Sequence, residues 1–192
     1  MYRSVRDLIT RNRSYRRFYH DKPVTKKQLE GLVDLARLSP STANLQPLKF
    51  IVSCTSKKNE MIFSCLAWAG YLKDWPGPED AERPAGYIVI LGDTEIMRDF
   101  GCNHGIAAQS ILLGATEMGF GGCMIGSVQR KKLAELLRIP DRYEILLVLA
   151  IGEPKERVVI TEAKDGEIKY WRDADKTHHV PKRSLNEIIL DL

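Results

Sequence analysis

Apolar residues recur at helical spacing in two places near the start of the chain. Val5, Leu8 and Ile9 share one face of a helix predicted over Ser4–Asn12, with Ser4 as its N-cap. After Thr25, the positions of Leu29, Leu32, Val33 and Ala36 predict a second helix to about Leu38. Continuous apolar runs at Leu48–Ser53, Tyr87–Leu91 and Ile145–Ile151 predict buried strands, the last closed by Gly152-Glu153-Pro154. Further helices are predicted over Glu60–Tyr71, Arg130–Leu137 and Ser184–Leu190. Between Cys102 and Met118, apolar side chains fall on nearly every face, which predicts a helix buried on several sides. Its small residues Gly101, Gly105, Ala108 and Ala115 permit close approach of another backbone. Such a helix in a short chain is either the core of a monomer or covered partly by a second subunit, and the second subunit is the natural source of the missing cover.

Breaker residues mark the rest. Gly119-Phe120-Gly121-Gly122 ends the long helix, turns the chain into a strand at Cys123–Gly126 and leaves backbone N–H groups open to a flat ligand. It is not the dinucleotide fingerprint, because its glycines follow a helix and Met124 stands where the last glycine would be. Ser39–Pro47 reads as an ordered loop in which the amides of Asn44 and Gln46 either match a heterocycle edge or tie down the loop itself. Asp74–Arg83 is a surface loop or flap, preceded by Trp68, Tyr71 and Trp75, which serve packing or substrate contact. Lys164-Asp165-Gly166 lies between the β-prone runs Arg157–Ala163 and Glu167–Trp171 and predicts a hairpin.

Composition narrows the class. The 192 residues are 44% hydrophobic and 28% charged with a net charge of +4, which suits one ordinary globular domain and is too mild to argue for nucleic acid. No apolar run approaches a membrane span, and the first residues lack a signal-peptide core, so a cytoplasmic protein is expected. The cysteines Cys54, Cys65, Cys102 and Cys123 form no C-x-x-C pair and read as reduced core residues. The adjacent His178 and His179 cannot both face one metal from a regular element, so no metal site is expected. No hydrolase elbow, metalloprotease motif or P-loop occurs, which fits chemistry carried by an organic cofactor and no catalytic side chain of its own. Arg13-Ser14-Tyr15-Arg16-Arg17 is the remaining chemical signal, as an anion site or as a solvated basic turn.

The order of these pieces resembles the nitroreductase family of FMN-dependent oxidoreductases. The resemblance rests on Arg13-Ser14-x-Arg16-x-Phe18, on Ala36-Arg37-x-Ser39-Pro40-Ser41-x-x-Asn44-x-Gln46-Pro47-x-x-Phe50, and on Ala107-Ala108-Gln109-x-Ile111-Leu112-Leu113 with Gly119-x-Gly121 and Cys123-x-Ile125-Gly126. It implies an α+β three-layer sandwich, with a mixed, mainly antiparallel sheet flanked by helices, in an intertwined homodimer with two FMN sites. One FMN-binding domain would fill residues 1–192, with a C-terminal hairpin extension around residues 156–172. Arg13, Ser14 and Arg16 would hold the phosphate end and the pyrimidine edge, with Arg16 tuning the flavin. Pro40, Ser41 and Thr42 would come from the partner subunit, and Asn44, with Gln46, would meet the ring edge. Met124, Ile125 and Gly126 would lie against the ring, and Lys182 and Arg183 would complete the phosphate site. Two departures stand out: Asn12 replaces a basic residue common before the serine, and Leu48 replaces an aromatic after Gln46-Pro47.

The activity so implied is NAD(P)H-dependent reduction of FMN, then electron transfer by a ping-pong route to a nitroaromatic, quinone or similar acceptor. An oxygen-dependent or dehalogenating flavin reaction, or flavin binding without turnover, are the alternatives.

Overall fold

The computed structural model describes residues 4–191. A four-stranded sheet, β1 (Leu48–Ser53), β2 (Gly86–Asp93), β4 (Tyr143–Gly152) and β3 (Gly121–Ile125), runs in the order β1-β2-β4-β3 and is antiparallel throughout. β2 is buried along its whole length. The reason lies in its sequence: Ile88 and Ile90 point to one face of the sheet, Tyr87, Val89 and Leu91 to the other, and both faces are covered.

One cover is α2 (Lys26–Leu38) and α4 (Asn103–Glu117), whose Leu29, Leu32, Ala108, Ile111 and Ala115 pack on Ile88, Ile90, Leu149 and Ile151. The other comprises α3 (Ser56–Phe63) and α5 (Arg130–Leu137), with Ile62 and Leu133 fully buried, joined by Phe18 and Trp68. Helices therefore flank an antiparallel sheet in three layers, as the family resemblance implies. α1 (Val5–Arg11) begins at Ser4, whose hydroxyl accepts from the Asp7 N–H at 3.1 Å. α2 opens with a capping box between Thr25 and Gln28.

Several expectations need correction. The helix expected over 60–71 starts earlier and stops at Phe63, because the chain beyond it is drawn into pairing with the segment after β3. Leu66 bridges Val128, the Ala67 N–H donates to the Ser127 carbonyl at 3.0 Å, and Ala69 adopts a positive φ of 42°. The last helix shrinks to α6 (Leu185–Ile188). Cys65 and Cys123 are buried, but Cys54 is only half-buried and Cys102 is exposed; none is in a disulfide among the described residues. α4 needs no such correction: it is buried on several sides, as expected, and its own chain leaves Gly105 and Gln109 exposed. Gly121 and Gly122 are buried, and their role is close packing: a Cβ at Gly121 would lie 2.5 Å from the Tyr15 ring, and one at Gly122 2.5 Å from the Ala150 carbonyl oxygen.

The hairpin is the largest difference. Asp165 and Gly166 do take the positive φ values, 51° and 75°, that a tight turn needs. The strands they join, however, do not pair with each other. β5 (Val158–Glu162) and β6 (Trp171–Arg172) flank β7 (His178–Lys182) in a second sheet of order β5-β7-β6, with β5 parallel and β6 antiparallel to β7. Pro181 is tolerated inside β7 because its nitrogen faces the side where β6 has already ended. The His178 N–H and the Lys182 carbonyl both bond towards β5.

Candidate cofactor cleft

Two cavities hold most of the residues singled out by sequence, and no residue lines both. The first, about 290 Å³, lies where the segment after α1 meets β3, α4 and β7. Asn12, Arg13, Ser14 and Arg16 form one wall, Tyr170, His178, Val180 and Lys182 another, and Gln109, Leu112 and Met124 complete the lining.

Backbone pairing aims these side chains. Ser14 forms a parallel bridge with Gly122, and the Tyr15 N–H donates to the Gly122 carbonyl at 3.0 Å, so Arg13–Arg16 runs as an extended segment beside β3. It is no solvated turn. Strand alternation sends Cys123 and Ile125 into the core and leaves Met124 on the opposite face, in the cleft. The side chain of Ile125 is therefore buried in the core, while Gly126 is exposed just past the strand.

The charged groups in the cleft are the cations Arg13, Arg16 and Lys182, beside the uncharged polar side chains of Asn12, Ser14, Gln109, Tyr170 and His178. Among the described residues no carboxylate lines the cleft, so its electrostatics favour an anionic, acceptor-rich ligand. Arg13 donates from Nη2 to the Ile9 carbonyl at 2.7 Å, but its Nε is buried with no hydrogen-bond partner, and burial pulls its pKa below the ordinary arginine value. Asn12 sits across from Gln109, Nδ2 to Oε1 at 3.5 Å. Arg16 Nη1 donates to the Ser14 carbonyl at 3.3 Å and lies 3.3 Å from His178 Nε2. Burial first, then Arg16, Arg172 and His179, push the His178 pKa down to about 4. Arg17 belongs to a different structure, since its guanidinium pairs with Glu82 at 2.5 Å.

The second cavity, about 330 Å³, is lined by Pro40, Ser41, Gln46, Phe50 and residues of α2 and α4. Its loop carries positive φ at Ala43, Asn44 and Gln46 (49°, 56° and 50°), an unusual cluster for residues other than glycine. Asn103, buried in the first turn of α4, holds the loop: its Oδ1 accepts from the Thr42 N–H at 2.9 Å and its Nδ2 donates to Thr42 Oγ1 at 3.2 Å. The Gln46 side chain donates to the Asn44 carbonyl at 3.3 Å, tying the loop to itself, and Asn44 is exposed. Arg183 lines neither cavity; it faces Glu187 at 3.7 Å.

The sequence reading missed Tyr170 and His178, which reach the cleft only through the β5-β7-β6 topology. Gln109 stood in the family-like run Ala107-Ala108-Gln109 with no role assigned to it. The loop 74–83 is pinned rather than free: Arg172 lies over the Trp75 ring at 4.3 Å, and Arg83 pairs with Glu60 and Asp80. Trp68 packs inside, while the Tyr71 ring packs against Tyr170 at a tilt of 54°, with centroids 4.9 Å apart. Among the described residues no cluster of His, Cys, Asp and Glu could hold a metal ion, and no helix is long and apolar enough to cross a membrane.

The sequence pattern of the nitroreductase family matches residues 9–153. A protein of Archaeoglobus fulgidus named as an NADH dehydrogenase/NAD(P)H nitroreductase is 29% identical over 157 residues, covering 78% of this chain and 85% of its own. The structure of an FMN-dependent nitroreductase from Clostridium difficile R20291 superposes with a TM-score of 0.63 at 25% identity, covering 88% of this chain and 92% of the other. That of a nitroreductase family protein from Streptococcus pneumoniae reaches 0.70 at 20% identity, covering 98% and 100%.

Proposed function

The chain belongs to the nitroreductase family, and on that premise we propose that it is an FMN-dependent oxidoreductase which takes electrons from NAD(P)H and passes them to a nitroaromatic, quinone or similar acceptor. The observation that carries this reading is the cleft itself: Arg13, Arg16 and Lys182 around an apolar patch of Leu112 and Met124, with no carboxylate. Those residues fit a flavin mononucleotide, which needs cations for its phosphate and a flat apolar contact for its ring. The buried, unpartnered Nε of Arg13 is a donor that the protein's own atoms leave unused. FMN would supply the hydride-accepting and electron-passing chemistry.

The chain's own residues bind and orient. Arg13, Ser14 and Lys182 hold the phosphate end, with Arg183 near it beyond β7. Arg16 faces the pyrimidine edge, where negative charge grows on reduction. Met124 packs on the ring, with the backbone of Ile125 and Gly126 along its edge. Pro40, Ser41 and Gln46 line the other cavity, with Thr42 and Asn44 exposed on the same loop, so in this reading they serve the site of a second copy. Uncovered apolar side chains support a homodimer: Val5 and Ile9 on α1, Leu38 at the end of α2, and Leu185, Ile188, Ile189 and Leu190 at the C-terminus are exposed. One domain with a C-terminal extension, working in the cytoplasm without nucleic acid or membrane, completes the proposal.

The test is direct. Purified protein should be yellow, and anaerobic NAD(P)H should bleach the colour until an acceptor restores it. Colourless protein that neither takes up FMN nor oxidises NAD(P)H would overturn the reading.

A further inference from the structure

This inference deepens the flavin reading of the cleft and rests on it. The stretch after residue 153, beyond the matched family pattern, supplies most of what surrounds Arg16. The Arg16 N–H donates to Glu156 Oε1 at 2.5 Å, while Glu156 Oε2 accepts from Arg172 at 2.9 Å. The carboxylate of Glu156 is thus engaged by a backbone N–H and by another arginine. Among the described residues the guanidinium of Arg16 meets uncharged groups: the Ser14 carbonyl, the Tyr170 ring at 4.9 Å, His178 Nε2 at 3.3 Å and the Cys123 thiol, whose pKa burial raises. His178 is 1% exposed, and the Tyr170 ring stands 5.1 Å from its own.

A guanidinium has donors and no acceptor, so the nitrogen facing it must accept. That places the imidazole proton on Nδ1, which is buried and has no hydrogen-bond partner among the described residues. An acceptor of this kind fixes the direction of a cation without cancelling its charge. A carboxylate in the same place would fix it as well and neutralise it, and the cleft contains none.

We propose that His178 is a positioning residue for Arg16, holding the guanidinium towards the cleft through an uncharged acceptor so that its whole charge acts on the bound flavin. The charged and titratable groups around it agree: Arg16, Arg172 and His179 all disfavour a second proton on His178. Tyr71, in tilted ring contact with Tyr170 and donating its N–H to the Tyr170 hydroxyl at 3.4 Å, ties the same set to the loop after α3.

Two measurements test this. Long-range 1H–15N spectra of histidine-labelled protein, with His178 assigned from its loss in His178→Gln, should show a neutral Nδ1–H form from pH 5 to 8. A neutral Nε2–H form, or titration near the ordinary pH 6.5, would overturn the proposal without any reference to flavin. The second measurement is the ratio of affinities for reduced and oxidised FMN. His178→Glu should lower that ratio about tenfold, equal to about 30 mV for a two-electron couple, and His178→Gln should lower it much less. Equal effects of the two variants, or none from His178→Glu while Arg16→Gln shifts the ratio, would sink the positioning role. If Arg16→Gln leaves the ratio unchanged, it is the flavin reading of the cleft that fails.

Discussion

Arg17 and Glu82 form a two-pronged ion pair, Nε to Oε2 and Nη2 to Oε1, both at 2.5 Å. Lys155 adds a second cation to the same carboxylate at 3.1 Å. The Phe18 N–H donates to the Glu82 carbonyl at 3.0 Å and the Lys155 N–H to the Arg17 carbonyl at 2.9 Å. The segment that carries Arg16 is therefore clamped, one residue further on, to the loop before β2 and to the end of β4.

The clamp gives a prediction for acid stability. Hydrogen bonding to Arg17, ahead of the contact with Lys155, holds the Glu82 carboxyl at about 2, against an ordinary 4.5. A depressed carboxyl stabilises the fold above its unfolded value and loses that contribution as pH falls towards its folded one. Glu82 should stabilise the protein fully above about pH 5 and progressively less from there to about pH 2. Glu82→Gln should cost about 2 kcal/mol at pH 7 and flatten the dependence of urea unfolding on pH over the window. Parallel curves for the two proteins would remove Glu82 from the account.

Arg16 and Arg13 should separate by redox titration with FMN saturating. Two charges about 4 Å apart in a partly solvated site interact by a few kcal/mol at most; solvent should leave about 1–2 kcal/mol, or roughly 20–40 mV for a two-electron couple. Arg16→Gln should lower the flavin potential by that amount and slow reduction by NAD(P)H. Arg13→Gln should weaken FMN binding and leave the potential of bound flavin nearly unchanged. The reverse pattern would swap the two roles.

Released cofactor should run as FMN on chromatography, because the cleft offers one cationic cluster and the chain has no dinucleotide fingerprint. Stoichiometric FAD would contradict this. A single stacking surface should also give parallel double-reciprocal plots as donor and acceptor take turns; intersecting lines without competitive substrate inhibition would indicate a ternary complex.

Gly122→Ala should be strongly destabilising, by about 1–3 kcal/mol or more, because the new Cβ would meet the backbone oxygen of Ala150, which cannot swing aside. Gly126→Ala, with nothing within 4 Å of its new Cβ, is the control and should leave the denaturation midpoint nearly unchanged. Similar midpoints for both would show that β3 has slack.

The parts of the fold legible in the sequence were those that local chemistry determines. α2 was readable because Thr25 as the cap and the spacing of Leu29, Leu32 and Ala36 agree; β2 was readable because a continuous apolar run suits a strand buried on both faces. Asp165-Gly166 also specified its turn correctly. A turn does not choose the partner of its strands, however, and β7, with a proline inside it, carried no strand signal of its own. The same gap hid half of the cleft. Arg13, Arg16 and Lys182 stood in recognisable motifs, whereas Tyr170 and His178 become neighbours of Arg16 only after β7 has paired between β5 and β6. The early end of α3 has the same origin, in the long-range bridge between Leu66 and Val128.

The separation of the two cavities has a genetic consequence. If each flavin site draws one half from each of two copies, a lesion at Arg16 and a lesion at Ser41 damage opposite halves. A hybrid of the two variants then holds one doubly damaged site and one that is whole. Random reassortment makes about half of the dimers hybrid, so roughly a quarter of all sites should regain function in the mixture. Two impaired proteins would complement each other after unfolding and refolding together, and not when refolded apart.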